Sequence, residues 1–209
     1  MTLSVCINTV AGSPHSKHVM SSSDVPYSLR GYALQQFILP SYVTHPMIDE
    51  VVIVGQWHAG EGYLYIKQAN KYHNWMDCVQ QRQVAFERSS GDILVFQHDD
   101  HILEPRAIAI ALQLFKENPE IDVLSPARFS RVIEFEGREI NSGQDDGYID
   151  GHCAFYKRAV IEKCPWKDVP LEFTLDMYHT MQIVNAGFKI GYSKDVFVWD
   201  VEPGAIPWQ

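Results

Sequence analysis

The stretch Gly91-Asp92-Ile93-Leu94-Val95-Phe96-Gln97-His98-Asp99-Asp100-His101 decides how the rest of the chain reads. Ile93 to Phe96 is an apolar run with the length of a buried strand. It breaks into four consecutive side chains that can hold a metal or a proton. Burying such a cluster without partners is costly. The reading that avoids the cost puts it at the strand's exposed end, where open α/β sheets carry their ligand crevice.

The flanking segments supply that sheet. Leu3 to Asn8 and Val51 to Val54, the latter closed by Gly55, read as buried strands, and Tyr63 to Ile66 as a third, short one. Between them lie a polar loop, Ala11 to Tyr27, and a helix that Ser28 can cap. That helix carries Leu29, Tyr32, Ala33 and Phe37 and is expected to end before Pro40. The spacing predicts a helix over Asp77 to Arg88, with Cys78, Arg82 and Ala85 on one face. A further helix starts at Glu104-Pro105, buries Ile108, Leu112 and Phe115, and stops at Asn118-Pro119. Val123-Leu124 follows as a strand. This alternation indicates an α/β domain with a largely parallel sheet.

The second half changes character. Val132 to Ile140 alternates around Gly137 like a hairpin, and Asn141 to Gly147 is a polar loop holding Asp145 and Asp146. Cys153 to Tyr156 reads as a strand and Arg158 to Lys163 as a short helix. Leu175 to Ala186 reads as a helix with Met177, Met181 and Val184 on its apolar face and Gly187 closing it. Lys189 to Tyr192 and Val196 to Trp199 read as two strands. Nothing in the composition marks a linker, so residues 1–209 are expected to form one domain with functional halves meeting near Asp100.

Composition narrows the function. The chain has 209 residues and a formal net charge of −9, and 46% of its residues are hydrophobic. That charge argues against a nucleic-acid backbone as the main partner. The four cysteines form no CxxC pair and match no zinc spacing; they read as buried thiols and suit a reducing, cytoplasmic setting. The N-terminus lacks the basic region of a signal peptide, and no apolar run approaches the ~20 residues of a membrane span.

The chemistry returns to His98-Asp99-Asp100-His101. Hard cations such as Mg²⁺ bind through one or two carboxylates and leave positions for water and phosphate. Asp100, with Asp99 or His98 beside it, supplies such a partial site; the bland alternative is an acidic surface turn without a metal. Four consecutive residues cannot all face one zinc ion, and a helical HExxH is absent. Neither GxGxxG nor GxxxxGK[ST] occurs, so a metal-bridged diphosphate fits better than a dinucleotide fold or a P-loop.

At this point the residues carry a resemblance. The sequence resembles glycosyltransferases of the GT-A fold, most closely the large inverting family 2. The family pattern runs R-N-x-G-x-x-x-A-x-G-x, then an apolar run and D-x-D. Here Arg82-Gln83-Val84-Ala85 stands nine residues before Gly91, and His98-Asp99-Asp100 falls at the D-x-D position. Gly151-His152-Cys153-Ala154-Phe155-Tyr156-Lys157-Arg158 matches a G-G/H-x-x-x-[FY]-[KR]-R segment. Leu175-Asp176, then Ala186-Gly187-Phe188-Lys189-Ile190, matches an E-D pair followed by A-G-[YF]-[KR]-I. Val196 to Asp200 matches a last strand that ends in His in the family. The departures are His98 for the first Asp of D-x-D, Leu175 for the Glu, Asp200 for the closing His, and Gly55-Gln56 where an Asp usually helps to hold the base.

The resemblance implies a single GT-A domain, with a mostly parallel mixed central sheet flanked by helices. About residues 1–100 would bind the nucleotide sugar and about 101–209 the acceptor. It implies transfer of a sugar from a nucleotide-diphosphate sugar to a hydroxyl of a glycan or small-molecule acceptor, with inversion and with Mn²⁺ or Mg²⁺. Asp100 would be the main metal ligand and Asp200 a further one. Asn8, Thr9 and Val10 would cradle base and ribose. Arg82, His98, Asp99 and His152 would serve the diphosphate, the ribose or the metal's surroundings. Asp176 would be the general base, with His179 three residues on placed to contact the acceptor or orient it. Asp145 and Asp146 face the acceptor in such folds or form a solvated turn, and Trp208 is a candidate lid. Two other readings compete. One is a sugar-nucleotide pyrophosphorylase, disfavoured because Thr9 to His18 has only Gly12 and no Arg. The other is an inactive nucleotide-sugar-binding protein, which retention of Asp100 and Asp176 opposes.

Overall fold

The computed structural model describes residues 1–9, 34–55, 62–68, 75–99, 101–104, 106–129, 149, 153–166 and 175–200, the side chains of Phe37, Trp75, Arg128, Phe129 and Asp200 excepted. Val10, Asp100, Asp145, Asp146, His152 and Trp208 lie outside these residues, as do the Ala11 to Tyr27 loop, the Val132 to Ile140 hairpin and the start of the helix expected at Ser28.

The apolar runs become strands: β1 (Leu3–Thr9), β2 (Glu50–Gly55), β3 (Leu64–Lys67), β4 (Ile93–His98), β5 (His101–Leu103), β6 (Val123–Phe129), β7 (Cys153–Lys157) and β8 (Ile190–Asp200). They form one sheet in the order β3-β2-β1-β4-β7-β6-β8-β5. Strands β3, β2, β1 and β4 run parallel to one another, and β6 runs parallel to β8. Strand β7 is antiparallel to both β4 and β6, and β5 is antiparallel to β8. The sheet is therefore mixed, with its parallel part on the N-terminal side.

Both faces are buried, which is why the N-terminal strands read as continuous apolar runs rather than alternating ones. On one face Leu3, Val5, Ile7, Ile93 and Val95 pack against a π-helical turn at Leu34–Ile38, helix α1 (Leu39–Val43) and later Ala107, Ile108 and Phe115. On the other, Cys6, Val52, Leu94 and Phe96 meet helix α2 (Trp75–Arg88). Helices α3 (Ala107–Glu117), α4 (Arg158–Lys163) and α5 (Leu175–Asn185) complete the layers. No helix among the described residues is long and apolar enough to cross a membrane. All four cysteines are buried free thiols, as their apolar surroundings suggest.

Three sequence expectations are corrected. The helix before Pro40 does not end there: the π-helical turn stops at Ile38, and α1 takes Pro40 into its first turn, where a missing N–H costs nothing. Met177, Met181 and Val184 do not face the core but are about half exposed, at 48%, 47% and 54%. Helix α5 buries Leu175, His179, Thr180 and Ile183 instead. The last two expected strands are one, β8, with a register shift opposite Pro126/Ala127 that absorbs Lys194 to Val196. Gly187 closes α5 as expected, at φ 86°, with Phe188 N–H donating to Ile183 O and Gly187 N–H to Val184 O.

Candidate active site

Parallel pairing sets Asn8 beside His98 and Thr9 beside Gly55, so β1, β2 and β4 end together on one edge of the sheet. Gly55 has φ 141°, and a Cβ there would lie 2.0 Å from Thr9 O. Only glycine lets β2 end against β1 in this way. Thr9 is fully buried and its Oγ1 donates to Asp99 Oδ2 at 2.6 Å. Asp99 is thus turned inward and held against β1, 90 residues away in sequence. Asn8 is also buried, and its Oδ1 makes no hydrogen bond among the described residues.

Helix α2 lies over this edge. Its inward face carries Cys78, Gln81, Arg82 and Ala85, all buried, as the spacing predicts. Gln81 Nε2 donates to Thr9 O at 3.4 Å. Arg82 Nη2 lies 2.9 Å from His98 Nε2. A guanidinium can only donate, so His98 Nε2 accepts and carries no proton while this bond stands. His98 therefore offers its Nε2 lone pair to Arg82 and not to a metal ion. The Arg82 guanidinium also lies over the Trp166 ring, 4.7 Å from its centre.

The turn after β4 is secured from the other face too. Gln97 is fully buried. Its Oε1 accepts from Tyr42 Oη at 2.5 Å, its Nε2 donates to His101 O, and Leu103 N–H donates to Tyr42 Oη at 3.4 Å. His101 is buried and its ring meets that of His98 edge to face at 6.0 Å, as befits a structural residue. The described residues of the cluster are consequently not exposed at the strand end: Asp99 and His101 are buried and His98 is half-buried. Thr9 and Arg82 meet the desolvation cost of Asp99 and His98.

Strand register brings the second half of the chain to the same corner. In the β5–β8 pair His101 stands opposite Asp200. The residue that follows Asp100 in sequence is thus matched with Asp200. Carboxylates such as Asp100 and Asp200 are the oxygen donors that suit a hard divalent cation. Among the described residues no three His, Cys, Asp or Glu side chains converge as a closed metal cage.

Asp176 is half-buried in the first turn of α5, where a carboxylate is favoured by the helix dipole. His179 does not share its surroundings. It is buried, donates from Nε2 to Cys164 O at 2.9 Å, and stacks on Trp166 with ring centres 3.6 Å apart. A carbonyl only accepts, which fixes the Nε2–H tautomer. Burial pushes its pKa down to about 3; the Cys164 carbonyl works against this and the Arg82 charge reinforces it. The expected role of His179 at the acceptor is therefore corrected: it is a neutral core histidine. Sequence reasoning missed Tyr42, Gln97 and Trp166 as supports of the site. The one signal was Gln97, an amide ending an otherwise apolar run.

The sequence matches no family model and no curated protein. Solved structures do resemble the fold. The chain superimposes on S. aureus TarS residues 1–349 with a TM-score of 0.54 and 15% identity over 96% of this chain. A second TarS structure, in complex with UDP-GlcNAc, gives a TM-score of 0.53 and 16% identity over 97% of this chain. The chain spans 60% of the length of those structures. The likeness bears out the expected architecture: this chain has a GT-A-like α/β fold with a single mixed sheet flanked by helices.

Proposed function

We propose that the protein is a metal-dependent glycosyltransferase that moves a sugar from a nucleotide-diphosphate sugar to an acceptor hydroxyl. The observation that carries this reading is the sheet corner itself. There the end of β4 with its Arg82–His98 pair, the Thr9–Asp99 bond and the His101–Asp200 register meet at the carboxyl ends of parallel strands. The TarS complex with UDP-GlcNAc supports a nucleotide sugar as donor.

In this reading residues up to about Asp100 bind the donor and the rest bind a glycan or small-molecule acceptor. Asn8 Oδ1, a buried acceptor with an unused lone pair, suits an N–H of the base or a ribose hydroxyl; Thr9 and Val10 complete that cradle. Asp100 and Asp200 would hold Mn²⁺ or Mg²⁺, and His152 would help to complete the shell of the metal or the diphosphate. The bound ion would supply Lewis-acid stabilisation of the departing diphosphate. Arg82 and Asp99 fix the turn, Arg82 adding positive charge beside it. Asp176 takes the acceptor proton as the oxygen attacks, with inversion at the anomeric carbon.

The test is release of nucleoside diphosphate from a panel of nucleotide sugars, with and without Mn²⁺. Metal-dependent release from one of them is expected. Pyrophosphate-dependent exchange of the nucleotide would instead establish a nucleotidyltransferase, and binding without turnover an inactive binding protein.

A further inference from the structure

Trp166 was no more than one of five tryptophans in the sequence, yet it is among the largest fully buried side chains. Its indole has Arg82 over one part of the ring system at 4.7 Å and His179 stacked at 3.6 Å with planes inclined by 34°. Phe96 and Tyr156 close its edges, with ring centres at 5.4 and 5.8 Å. Its backbone N–H donates to Gln83 Oε1 on α2 at 3.1 Å, and its neighbour Cys164 accepts from His179 on α5. The contacts therefore run without a gap from His98 through Arg82, Trp166 and His179 into the helix that begins with Leu175-Asp176.

We propose that Trp166 is a positioning residue that holds the Arg82 guanidinium against His98 and sets the spacing between the β4 turn and the first turn of α5. Arg82 has a planar, delocalised cation that an aromatic face orients, so the indole selects the guanidinium plane from which Nη2 reaches His98 Nε2. On the other side His179 is fixed by its bond to Cys164 O, so the ring that stacks on Trp166 is also the one that locates α5. The kinetic consequence rests on the transferase reading. The turn carrying Asp100 and the helix carrying Asp176 address the two ends of one reaction, and displacement of about 1 Å between reacting groups costs on the order of a hundredfold in rate.

The experiment compares Trp166→Phe, Trp166→Met and Arg82→Lys with wild type. The His98 tautomer is read from long-range proton–nitrogen NMR spectra of the imidazoles at mildly alkaline pH. Nucleotide-sugar turnover with Mn²⁺ is read from kcat and KM. Wild type and Trp166→Phe are expected to hold His98 as the Nδ1–H tautomer with similar kcat. Trp166→Met is expected to give a tautomer mixture and a kcat lower on the order of a hundredfold, with the donor KM little changed. Arg82→Lys, which leaves the indole in place, is expected to give the same mixture, and decides the matter if Trp166→Met does not fold. A His98 tautomer unchanged in the folded Trp166→Met and Arg82→Lys variants overturns the positioning role. Absence of nucleotide-sugar turnover in wild type removes the transferase reading and the kinetic half of the proposal, while the tautomer still decides the structural half.

Discussion

Thr9 Oγ1 donates a 2.6 Å hydrogen bond to Asp99 Oδ2, and both residues are buried. This bond fastens the turn after β4 to the end of β1, and so makes one edge out of two strands. Thr9→Val keeps the shape and removes a donor from a buried carboxylate. It is expected to cost about 1–3 kcal/mol, read as a lower urea midpoint at unchanged m-value. Thr9→Ser should retain most of the stability.

Gly55 is expected to be intolerant of any side chain. Its φ of 141° and the 2.0 Å approach of a Cβ to Thr9 O put strain directly on the edge where β1 and β2 end. The backbone conformation alone accounts for about 1–3 kcal/mol, with the clash added. Gly187→Ala is the contrast: φ is 86° but nothing lies within 4 Å, so thermal unfolding should show a smaller loss there.

Stability should fall as the solution is acidified, because His179 is neutral in the fold. Its folded pKa of about 3 lies below that of an unfolded histidine, so between about 6.5 and 3 the unfolded chain binds a proton that the folded chain does not. Stability is therefore full above about pH 6.5 and declines by up to about 1.4 kcal/mol per pH unit below it. Urea unfolding across this range should show the slope, and His179→Phe should flatten it. Glu50 adds a second loss at lower pH. Partial burial pushes its carboxyl up, but hydrogen bonds from Ser4, Ser90 and Gly91 outweigh this and hold it below the usual range. A depressed carboxyl stabilises above its unfolded pKa of about 4.3 and ceases to do so as pH falls through the folded value.

Asp176→Asn should leave binding of a nucleotide sugar with Mn²⁺ intact and lower transfer by about 10²–10⁴-fold. Calorimetry for the donor and product formation for transfer separate the two effects. Transfer at the wild-type rate would show that Asp176 is not the base.

Met177→Gln and Met181→Gln should change stability by no more than about 0.5 kcal/mol, as surface substitutions do. Ile183→Ala, at a fully buried position of the same helix, should cost about 2–5 kcal/mol. A large loss in thermal unfolding for the methionine variants would contradict the orientation of α5.

What the sequence determined by itself was local. Runs such as Ile93 to Phe96 and Val51 to Val54 are short, β-branched and punctuated by glycine, so they are strands in almost any surroundings. The D-x-D-like turn, Arg82 on the inward face of its helix and Gly187 at the helix end were legible for the same reason: each depends on spacing within a few residues. The face of α5 was not legible, because apolar residues occur on both of its sides and burial is decided by what packs there. Trp166 stacks on His179, Ile149 N–H donates to Thr180 Oγ1 and Ile183 joins the core, while Met177 and Met181 are left to solvent. Nor did the sequence tell that His98 would be occupied by Arg82, that Asp99 would turn to Thr9, or that Gln97 and Tyr42 would support the turn. Those pairings join residues 16, 90 and 55 positions apart. The stretch His98-Asp99-Asp100-His101 offered four possible ligands in a row; tertiary packing supplied inward hydrogen-bond partners for His98 and Asp99, since only a folded sheet sets the distances at which a hydrogen bond can form.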